Sequence, residues 1–312
     1  MRLIWFAAVL LAASCGLATP TPSVSGAFGT RPVISLPTGP PDPEPRVTVL
    51  WEGGGRVTRP GDVVVTDVEV RRWEGNQPYL NTYDTRQPAT VLPGDGQAPK
   101  AWREALVGHA AGSRVMLVGP AGDGALPKDG LAGGGALPKD GLAGGGALPK
   151  SGLVGGGVLS GVAPPLPGGG ETLVVVFDIL GGYPADARLL GKGVPDLPAD
   201  LQASGPSRTL IDGSGPMVER GAKIVVQYVG ARWPTRTVFD SSHRRGGPRG
   251  FTLVPGAVPP GWVEALTGKA VGSRVAVTVP ATATKGFTAT TGGIGVPGGG
   301  PLLYVVDIID TI

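Results

Sequence analysis

The sequence contains little of what metal-dependent or cofactor-dependent sites require. Among its 312 residues there are one cysteine and two histidines, His109 and His243. A single cysteine excludes an intrachain disulfide, and two distant histidines do not have the spacing of zinc ligands. The Gly-Lys pairs at 191–192 and 268–269 lack the spacing and the following hydroxyl of a phosphate-binding loop. We therefore expect no metal site and no cofactor.

Charge of one sign is not concentrated anywhere either. Lys and Arg number 27 against 24 Asp and Glu, which gives a net charge of +3. Nucleic-acid binding depends on clustered cations that displace counterions from phosphates, and no such basic patch is present. We expect no nucleic-acid partner.

One hydrophobic run stands at the N-terminus. Residues 3–13 are apolar and follow the positive charge of Arg2. Eleven residues are too short for a transmembrane helix, which needs about 20. The pattern therefore predicts a signal for export.

The only cysteine, Cys15, follows Ala12, Ala13 and Ser14 directly. This resembles a bacterial lipobox, in which the cysteine thiol is acylated and becomes the mature N-terminus, although Ala12 stands where leucine is usual. Ordinary secretory cleavage at the same place, which would leave a free thiol, is the alternative. We predict a signal peptide over residues 1–15, an exported protein, and a lipid anchor at Cys15 on the extracytoplasmic side of the cell membrane.

The main part of the chain is an internal duplication. A Pro-, Thr- and Ser-rich stretch over 16–46, predicted to be an extended linker, comes first. WREALVGHAAGSRV, beginning at Trp102, then returns 160 positions later as WVEALTGKAVGSRV, beginning at Trp262. The same shift aligns the two segments far upstream without a gap. We predict one domain over 47–183, a linker over 184–206 and a second domain over 207–312.

The two copies differ by one insertion. Their closing strands align Asp178 with Asp307, a shift of only 129, so the first copy carries 31 extra residues. Three tandem 11-residue segments of the type ALPKDGLAGGG, over residues 125–157, account for them. So many glycines and so few bulky side chains cannot form a core, which predicts a flexible expanded loop.

Each copy has the pattern of an α+β domain. Residues 224–229, 251–254, 274–279 and 302–309 are rich in β-branched and aromatic side chains, as strands are. One short helix is predicted from about Pro260, with Trp262, Ala265 and Leu266 on one face and Gly268 at its end. The first copy repeats this plan around Trp102.

Candidate site residues cluster in the second copy. Asp240 and Arg245 stand close in sequence to several apolar and aromatic residues, namely Tyr228, Phe239, Val258, Trp262 and Tyr304. On spacing alone, core packing of the aromatics and turn capping by Asp240 is the better supported interpretation.

Five short stretches of the second copy together resemble a known family. They are VVQYVG at 225–230, VFDSS at 238–242, GAVPPGWVEALTG at 256–268, AVGSRVAVTVP at 270–280 and LLYVVDII at 302–309. Over about residues 208–312 the chain resembles FKBP-type peptidyl-prolyl cis-trans isomerases. The resemblance implies two tandem FKBP-like domains, each a twisted antiparallel sheet wrapped round one short helix, and a substrate pocket between helix and sheet.

The same resemblance assigns roles to the candidate residues. Trp262 is expected to form the floor of the pocket, and Tyr228, Phe239 and Tyr304 its aromatic walls. Val258 would line the side, and Asp240 would be the carboxylate at the rim, oriented by Arg245. The implied partners are X-Pro segments of exported proteins, bound by a monomer.

Three positions depart from the family pattern. Arg249 replaces a hydrophobic aromatic residue, and Pro259 has no N–H where a backbone donor commonly meets the substrate. Lys285 stands where a tyrosine usually leans over the pocket. With Arg245 and Val258, the residues Pro259 and Lys285 are expected to contact substrate. We expect reduced turnover and weaker binding of the family's macrolide inhibitors.

The first copy retains Trp102 but not the other pocket residues. Val68, Tyr79, Leu80, Thr85 and Val175 stand where the second copy has Tyr228, Phe239, Asp240, Arg245 and Tyr304. We predict an inactive copy that serves as a spacer or as a weak binding surface.

Two functions remain open after the sequence analysis. The second domain is expected to isomerise X-Pro bonds in exported proteins. Alternatively, both domains are binding or chaperone modules in which catalysis has been weakened.

Overall fold

The computed structural model describes residues 21–93, 98, 100–121, 171–189, 193, 195–199, 207–284, 290–291, 294–295, 297 and 300–312. Cys15, the signal peptide, the repeats at 125–157 and Lys285 lie outside the described residues, so the predictions made for them stay predictions. Within the described ranges, no helix is long and apolar enough to cross a membrane.

In the first half of the chain, the described residues form a hairpin and a six-stranded antiparallel sheet with one α-helix. The elements are β1 (Ser23–Ser25), β2 (Val33–Ser35), β3 (Arg46–Trp51), β4 (Asp62–Arg72), β5 (Pro78–Asn81), β6 (Ala89–Val91), α1 (Lys100–Leu106), β7 (Arg114–Pro120) and β8 (Thr172–Pro184). The sheet order is β3-β7-β8-β4-β5, and β6 also pairs with β4.

The second half repeats this arrangement. Its elements are β9 (Arg208–Ile211), β10 (Lys223–Arg232), β11 (Val238–Ser241), β12 (Arg249–Thr252), α2 (Trp262–Leu266), β13 (Arg274–Val279), α3 (Ala281–Thr284), β14 (Thr290–Thr291), β15 (Ile294–Gly295) and β16 (Leu302–Thr311). The order β9-β13-β16-β10-β11, with β12 on β10, matches the first sheet strand for strand. The prediction of two tandem α+β domains is therefore confirmed.

The pairing registers support the duplication at the level of single residues. Val70 pairs with Leu80 in the first sheet, and Gly230 pairs with Asp240 in the second. Both members of the second pair lie 160 positions after those of the first. The sequence alignment of the two copies therefore also describes equivalent positions in space.

The core of the second domain lies between helix α2 and the sheet. Trp262 and Leu266 on α2 and Val275 and Val277 on β13 have no exposed surface. The alternation along β13 directs every second side chain to this face, whereas Ala276 lies on the other face. Helix α2 begins after Gly261, whose φ of +83° is accessible to glycine without strain.

The N-terminal stretch differs from its prediction as an extended linker. From residue 21 onward, part of the predicted linker 16–46 is folded as the β1–β2 hairpin against the outer face of the first sheet. Ile34 packs there with Met116 and Val176. The guanidinium of Arg114 donates to the carbonyl oxygens of Ala27 and Thr30, both at 3.0 Å. Apolar packing and hydrogen bonds to the first sheet thus fix a stretch whose composition alone suggested an open chain.

The described part of the predicted linker 184–206 lies similarly against the outer face of the second sheet. Leu197 packs against the cluster that contains Val305. Arg274, the counterpart of Arg114, pairs with Asp307 at 2.6 Å and donates to the carbonyl oxygen of Gly193 at 2.7 Å. Both sheets therefore have an outer face that is covered by the segment preceding them.

The two domains contact each other through equivalent surfaces. Val65 of β4 and Val225 of β10, which are 160 positions apart, belong to one buried cluster with Leu180. Lys223 forms an ion pair with Asp67 across the contact. The side-chain amide of Gln87 donates to the carbonyl oxygen of Ala257, next to the predicted pocket residue Val258.

Candidate active site

Five aromatic rings meet beneath helix α2. The Trp262 ring lies 5.7 Å from that of Tyr228, 5.7 Å from Phe251 and 5.5 Å from Tyr304, with all three pairs edge to face. Phe239 continues the cluster through Tyr304 at 5.7 Å. Phe239 is half-buried and the other four are buried, so it is the member nearest to solvent. The structure thus brings together the four aromatic residues that the sequence analysis selected.

A glycine gives these rings their space. Gly230 lies opposite Tyr304 in the sheet register. A Cβ atom at this position would lie 2.7 Å from Cε1 of Tyr304 and 2.9 Å from Cζ of Phe239. The first copy has Val70 at the equivalent position and Val175 opposite it. A large aromatic wall and a side chain on the neighbouring strand exclude each other because they occupy the same volume.

The predicted carboxylate at the rim is held from two sides. Arg245 donates from Nε to Oδ1 of Asp240 at 2.7 Å and from Nη2 to Oδ2 at 3.0 Å. The Tyr228 hydroxyl donates to Oδ2 at 3.1 Å. A bidentate guanidinium pair fixes the plane of a carboxylate as well as its position. Asp240 is 6% exposed, so the pair holds this charge at the boundary between the aromatic cluster and solvent.

The turn that carries Arg245 is fixed by the neighbouring serine. A short 3-10 helix over His243–Arg245 follows β11 directly and returns Arg245 towards Asp240. The Oγ atom of Ser242 accepts the Tyr228 backbone N–H at 2.9 Å, and its hydroxyl donates to the side chain of Gln227. Ser242 thereby connects the strand of Tyr228 with the turn of Arg245.

The phenols of the site remain neutral over a wide pH range. Burial raises the pKa of Tyr228, and the neighbouring Asp240 carboxylate raises it further. Burial also raises the pKa of Tyr304. Both phenols are therefore neutral at physiological pH, and the Tyr228 hydroxyl donates to Asp240 in that form.

The remaining predicted residues lie around the loop before α2. Val258 is 2% exposed and belongs to the same core cluster as Trp262. Pro259 is buried and presents no N–H, and its carbonyl oxygen accepts the backbone N–H of Trp262 at 3.2 Å. Thus the carbonyl oxygen of Pro259 accepts the first hydrogen bond of α2, and the loop has no N–H donor at position 259.

The equivalent volume of the first copy is filled with aliphatic side chains. Val68, Leu80 and Val175 are buried around Trp102, which packs edge to face on Phe177 at 4.7 Å. Tyr79, the counterpart of Phe239, is half-buried at the margin of the cluster. No carboxylate replaces Asp240 here, because Leu80 occupies its register position.

Sequence reasoning did not select three residues of this site. Gly230 makes room for the rings, and Phe251 packs on both Tyr228 and Trp262. Arg249 was noted as a departure only, yet it is buried beside the Asp240–Arg245 pair. The glycine could have been noticed as the only glycine in VVQYVG, because its counterpart in the other copy is the much larger Val70.

Comparisons with known proteins agree with this geometry. Residues 215–309 match the family model of FKBP-type peptidyl-prolyl cis-trans isomerases. An FK506-binding protein of Streptomyces anulatus is 35% identical over 112 residues, which cover 36% of this chain and 86% of the relative. A probable FK506-binding protein of Corynebacterium glutamicum is 34% identical over 113 residues, which are 36% of this chain and 87% of the relative.

A third relative is matched over a smaller share of its length. The FKBP-type 22 kDa peptidyl-prolyl cis-trans isomerase of Escherichia coli is 33% identical over 105 residues, which cover 34% of this chain and 48% of the relative. The matched segment of this chain is in every case about one third of it. The aromatic cluster, the paired carboxylate and these similarities together show that the chain belongs to the family of FKBP-type peptidyl-prolyl cis-trans isomerases.

Proposed function

We propose that the second domain, residues 207–312, isomerises X-Pro bonds in exported proteins at the outer face of the membrane. The observation that supports this proposal is the aromatic cluster around Trp262 with Asp240 held at its edge by Arg245 and Tyr228. The first copy keeps its tryptophan but has neither the aromatic wall nor the carboxylate. The activity is therefore assigned to one domain of two.

The chemistry needs neither a nucleophile nor a cofactor. Rotation about an X-Pro bond meets a barrier of about 18–20 kcal/mol because the planar amide is stabilised by resonance. In the twisted transition state this resonance is lost and the dipole of the amide falls. An apolar aromatic surface desolvates the twisted amide at less cost than the planar one. Such preferential binding of the transition state lowers the barrier.

The carboxylate of Asp240 also favours the twisted amide over the planar one. A planar amide carries partial negative charge on its carbonyl oxygen, and twisting reduces that charge. Arg245 compensates part of the Asp240 charge, and the part that remains near the bound amide disfavours the planar form more than the twisted form. Arg245 and Tyr228 hold the carboxylate in position, so the carboxylate does not need to reorient during the rotation.

The alternative function, a binding or chaperone module, is favoured by one observation. Pro259, in the loop before α2, offers no backbone N–H. A substrate that loses this hydrogen bond is held less precisely, and precise orientation contributes to the rate. The binding module and the isomerase differ in one measurable respect, which is whether a bound X-Pro peptide exchanges faster.

NMR exchange spectroscopy on an Ala-Leu-Pro-Phe peptide with the full mature chain tests the assignment. We expect accelerated cis–trans exchange, loss of most of the acceleration in Phe239→Ala, and retention in the matched variant Tyr79→Ala of the first copy. Binding without acceleration would favour the chaperone module. Equal loss in both variants would contradict the assignment to the second domain.

Membrane attachment through Cys15 is part of the proposal and has its own test. Acylation of the only cysteine would retain the protein in the membrane fraction. We expect radiolabelled fatty acid to be incorporated by the wild type and not by Cys15→Ala, which should be released in soluble form. Incorporation by both proteins would contradict the anchor.

A further inference from the structure

The turn that carries Arg245 lies against the first domain. It ends in two glycines, Gly246 and Gly247, both with positive φ. A Cβ atom at Gly246 would lie 2.6 Å from Cδ2 of Leu92, the residue that follows β6. A Cβ atom at Gly247 would lie 2.7 Å from the carbonyl oxygen of Ala185, the residue that follows β8. The first domain therefore packs directly on the backbone that follows Arg245.

A hydrogen-bonded path reaches the same turn from the segment that leaves the first domain. The side-chain amide of Gln227 is fully buried and donates to the carbonyl oxygens of Ala185 and Ala187, at 3.3 and 3.2 Å. Its oxygen accepts the hydroxyl of Ser242. The carbonyl oxygen of Ser242 accepts the backbone N–H of Arg245 at 2.9 Å. The segment after β8 is thus connected to the turn through two buried side chains.

The first copy crosses the domain contact from the equivalent position. Asp67, the counterpart of Gln227, accepts the hydroxyl of Thr82 at 3.0 Å. Thr82 is itself the counterpart of Ser242. The second carboxylate oxygen of Asp67 pairs with Lys223 of the second domain. In both copies, the side chain that bonds to the hydroxyl of the turn also bonds across the contact.

The turn has little rigidity of its own. It is a 3-10 helix of three residues, His243–Arg245, followed by the two glycines. One turn of 3-10 helix has poor hydrogen-bond geometry, and glycine restricts the backbone least of all residues. The guanidinium of Arg245 provides two of the hydrogen bonds that hold Asp240. Because the turn is held from outside, its contacts determine where Arg245 places the carboxylate.

We propose that the first domain is a positioning part of the site in the second domain. Leu92 and the segment around Ala185 hold the turn of Arg245, and Arg245 in turn fixes Asp240. The inference rests on the proposed isomerase function and gives the first copy a role that neither a spacer nor a weak binding surface has. Leu92 touches no substrate in this assignment and acts only through Arg245.

Replacing Leu92 in the full mature chain tests the contact with Gly246. We expect Leu92→Ala to lower kcat/KM for Ala-Leu-Pro-Phe about threefold to tenfold, because a small displacement of a positioned group lowers the rate. Leu92→Met, which keeps a long apolar side chain, should restore most of the rate. The matched control is Leu36→Ala. It removes another half-buried leucine, on the outer face of the first sheet, and should leave the rate unchanged.

A double-variant cycle shows whether Leu92 acts through Arg245. Arg245→Leu removes the guanidinium that the turn carries. In that background Leu92→Ala should lower the rate little further, because the two changes interrupt the same series of contacts. An equal fold-loss from Leu92→Ala with and without Arg245 would overturn the inference, since Leu92 would then act independently of the arginine.

The Nε–H group of Arg245 gives a readout that does not depend on turnover. Nε donates to Asp240 at 2.7 Å, and its signal in proton–nitrogen NMR spectra is the one that Arg245→Leu removes. We expect this signal to shift and its proton to exchange faster with water in Leu92→Ala. In Leu36→Ala the signal should keep its position and its exchange rate.

These outcomes separate the inference from the function on which it rests. Unchanged turnover in Leu92→Ala would overturn the inference and leave the isomerase standing. An equal loss in Leu36→Ala would also overturn it, because the effect would not come from the contact with the turn. If no peptide is turned over by the wild type, the proposed function fails, and the Nε–H signal still decides whether Leu92 positions Arg245. An unchanged signal in Leu92→Ala would then overturn the inference as well.

Discussion

Gly230 and Tyr304 face each other across adjacent strands, and a single Cβ atom at 230 would approach the tyrosine ring to 2.7 Å. The aromatic wall of the site therefore depends on a missing side chain. The first copy shows the other solution, in which Val70 fills the space and Val175 replaces the ring. The absence of the aromatic wall from the first copy thus has a steric reason, because Val70 occupies the space that the ring would need.

Gly230→Val should disable the site by displacing Tyr304 and Phe239. We expect kcat/KM to fall at least about tenfold, and overpacking to reduce the free energy of unfolding by about 1–3 kcal/mol. NMR exchange and denaturant unfolding measure the two effects. Val70→Ala, at the equivalent position of the first copy, is the control and should lower stability without lowering turnover. Normal turnover in Gly230→Val would show that the wall is unnecessary.

Asp240 and Arg245 should behave as a coupled pair. Arg245→Leu leaves a largely buried carboxylate without its strongest donor, and Asp240→Asn leaves a guanidinium without its acceptor. We expect the double variant to lose less stability than the sum of the losses in the two single variants. The difference, which is the coupling free energy, should be about 1–3 kcal/mol. Denaturant unfolding of all four proteins gives this value. Additive effects would mean that the pair contributes nothing beyond its separate members.

The five tyrosines should make the protein unstable to alkali. Burial raises the pKa of every one, namely Tyr79, Tyr83, Tyr183, Tyr228 and Tyr304. In the unfolded chain they ionise near the usual value of about 10, so their contribution to stability is complete below that pH and is lost as the pH rises above it. Tyrosinate absorbance should therefore appear together with loss of the fold. Tyrosine titration near pH 10 in a fully folded chain would contradict this prediction.

The first domain should influence a site that lies in the second. Gln87 donates to the carbonyl oxygen of Ala257, which directly precedes Val258. Without this donor the buried carbonyl loses its partner and the loop before α2 is less firmly held. We expect Gln87→Ala to raise KM about twofold to fivefold and to change the free energy of unfolding little. The exposed Gln77→Ala is the matched control, and identical KM values in all three proteins would exclude this influence.

The sequence by itself determined the duplication, the strand and helix pattern and the identity of most site residues. Trp262, Tyr228 and Asp240 could be assigned to a site because the short contiguous motifs around them resemble those of the FKBP family, whereas their spacing alone favoured core packing. The short helix around Trp262 could also be predicted from neighbouring residues, although it begins at Trp262 and not at about Pro260.

Only the tertiary structure decided the features that depend on residues distant in sequence. The exclusion between Gly230 and Tyr304 joins positions 74 residues apart, and no local pattern contains it. Packing of the β1–β2 hairpin on the first sheet depends on Arg114 and Met116, far along the chain from Ile34. The burial of Arg249 beside Asp240 joins residues of two different strands, β12 and β11, and no local sequence pattern predicts it. Local sequence patterns therefore predicted the elements of the fold, whereas the tertiary structure determined which side chains pack together.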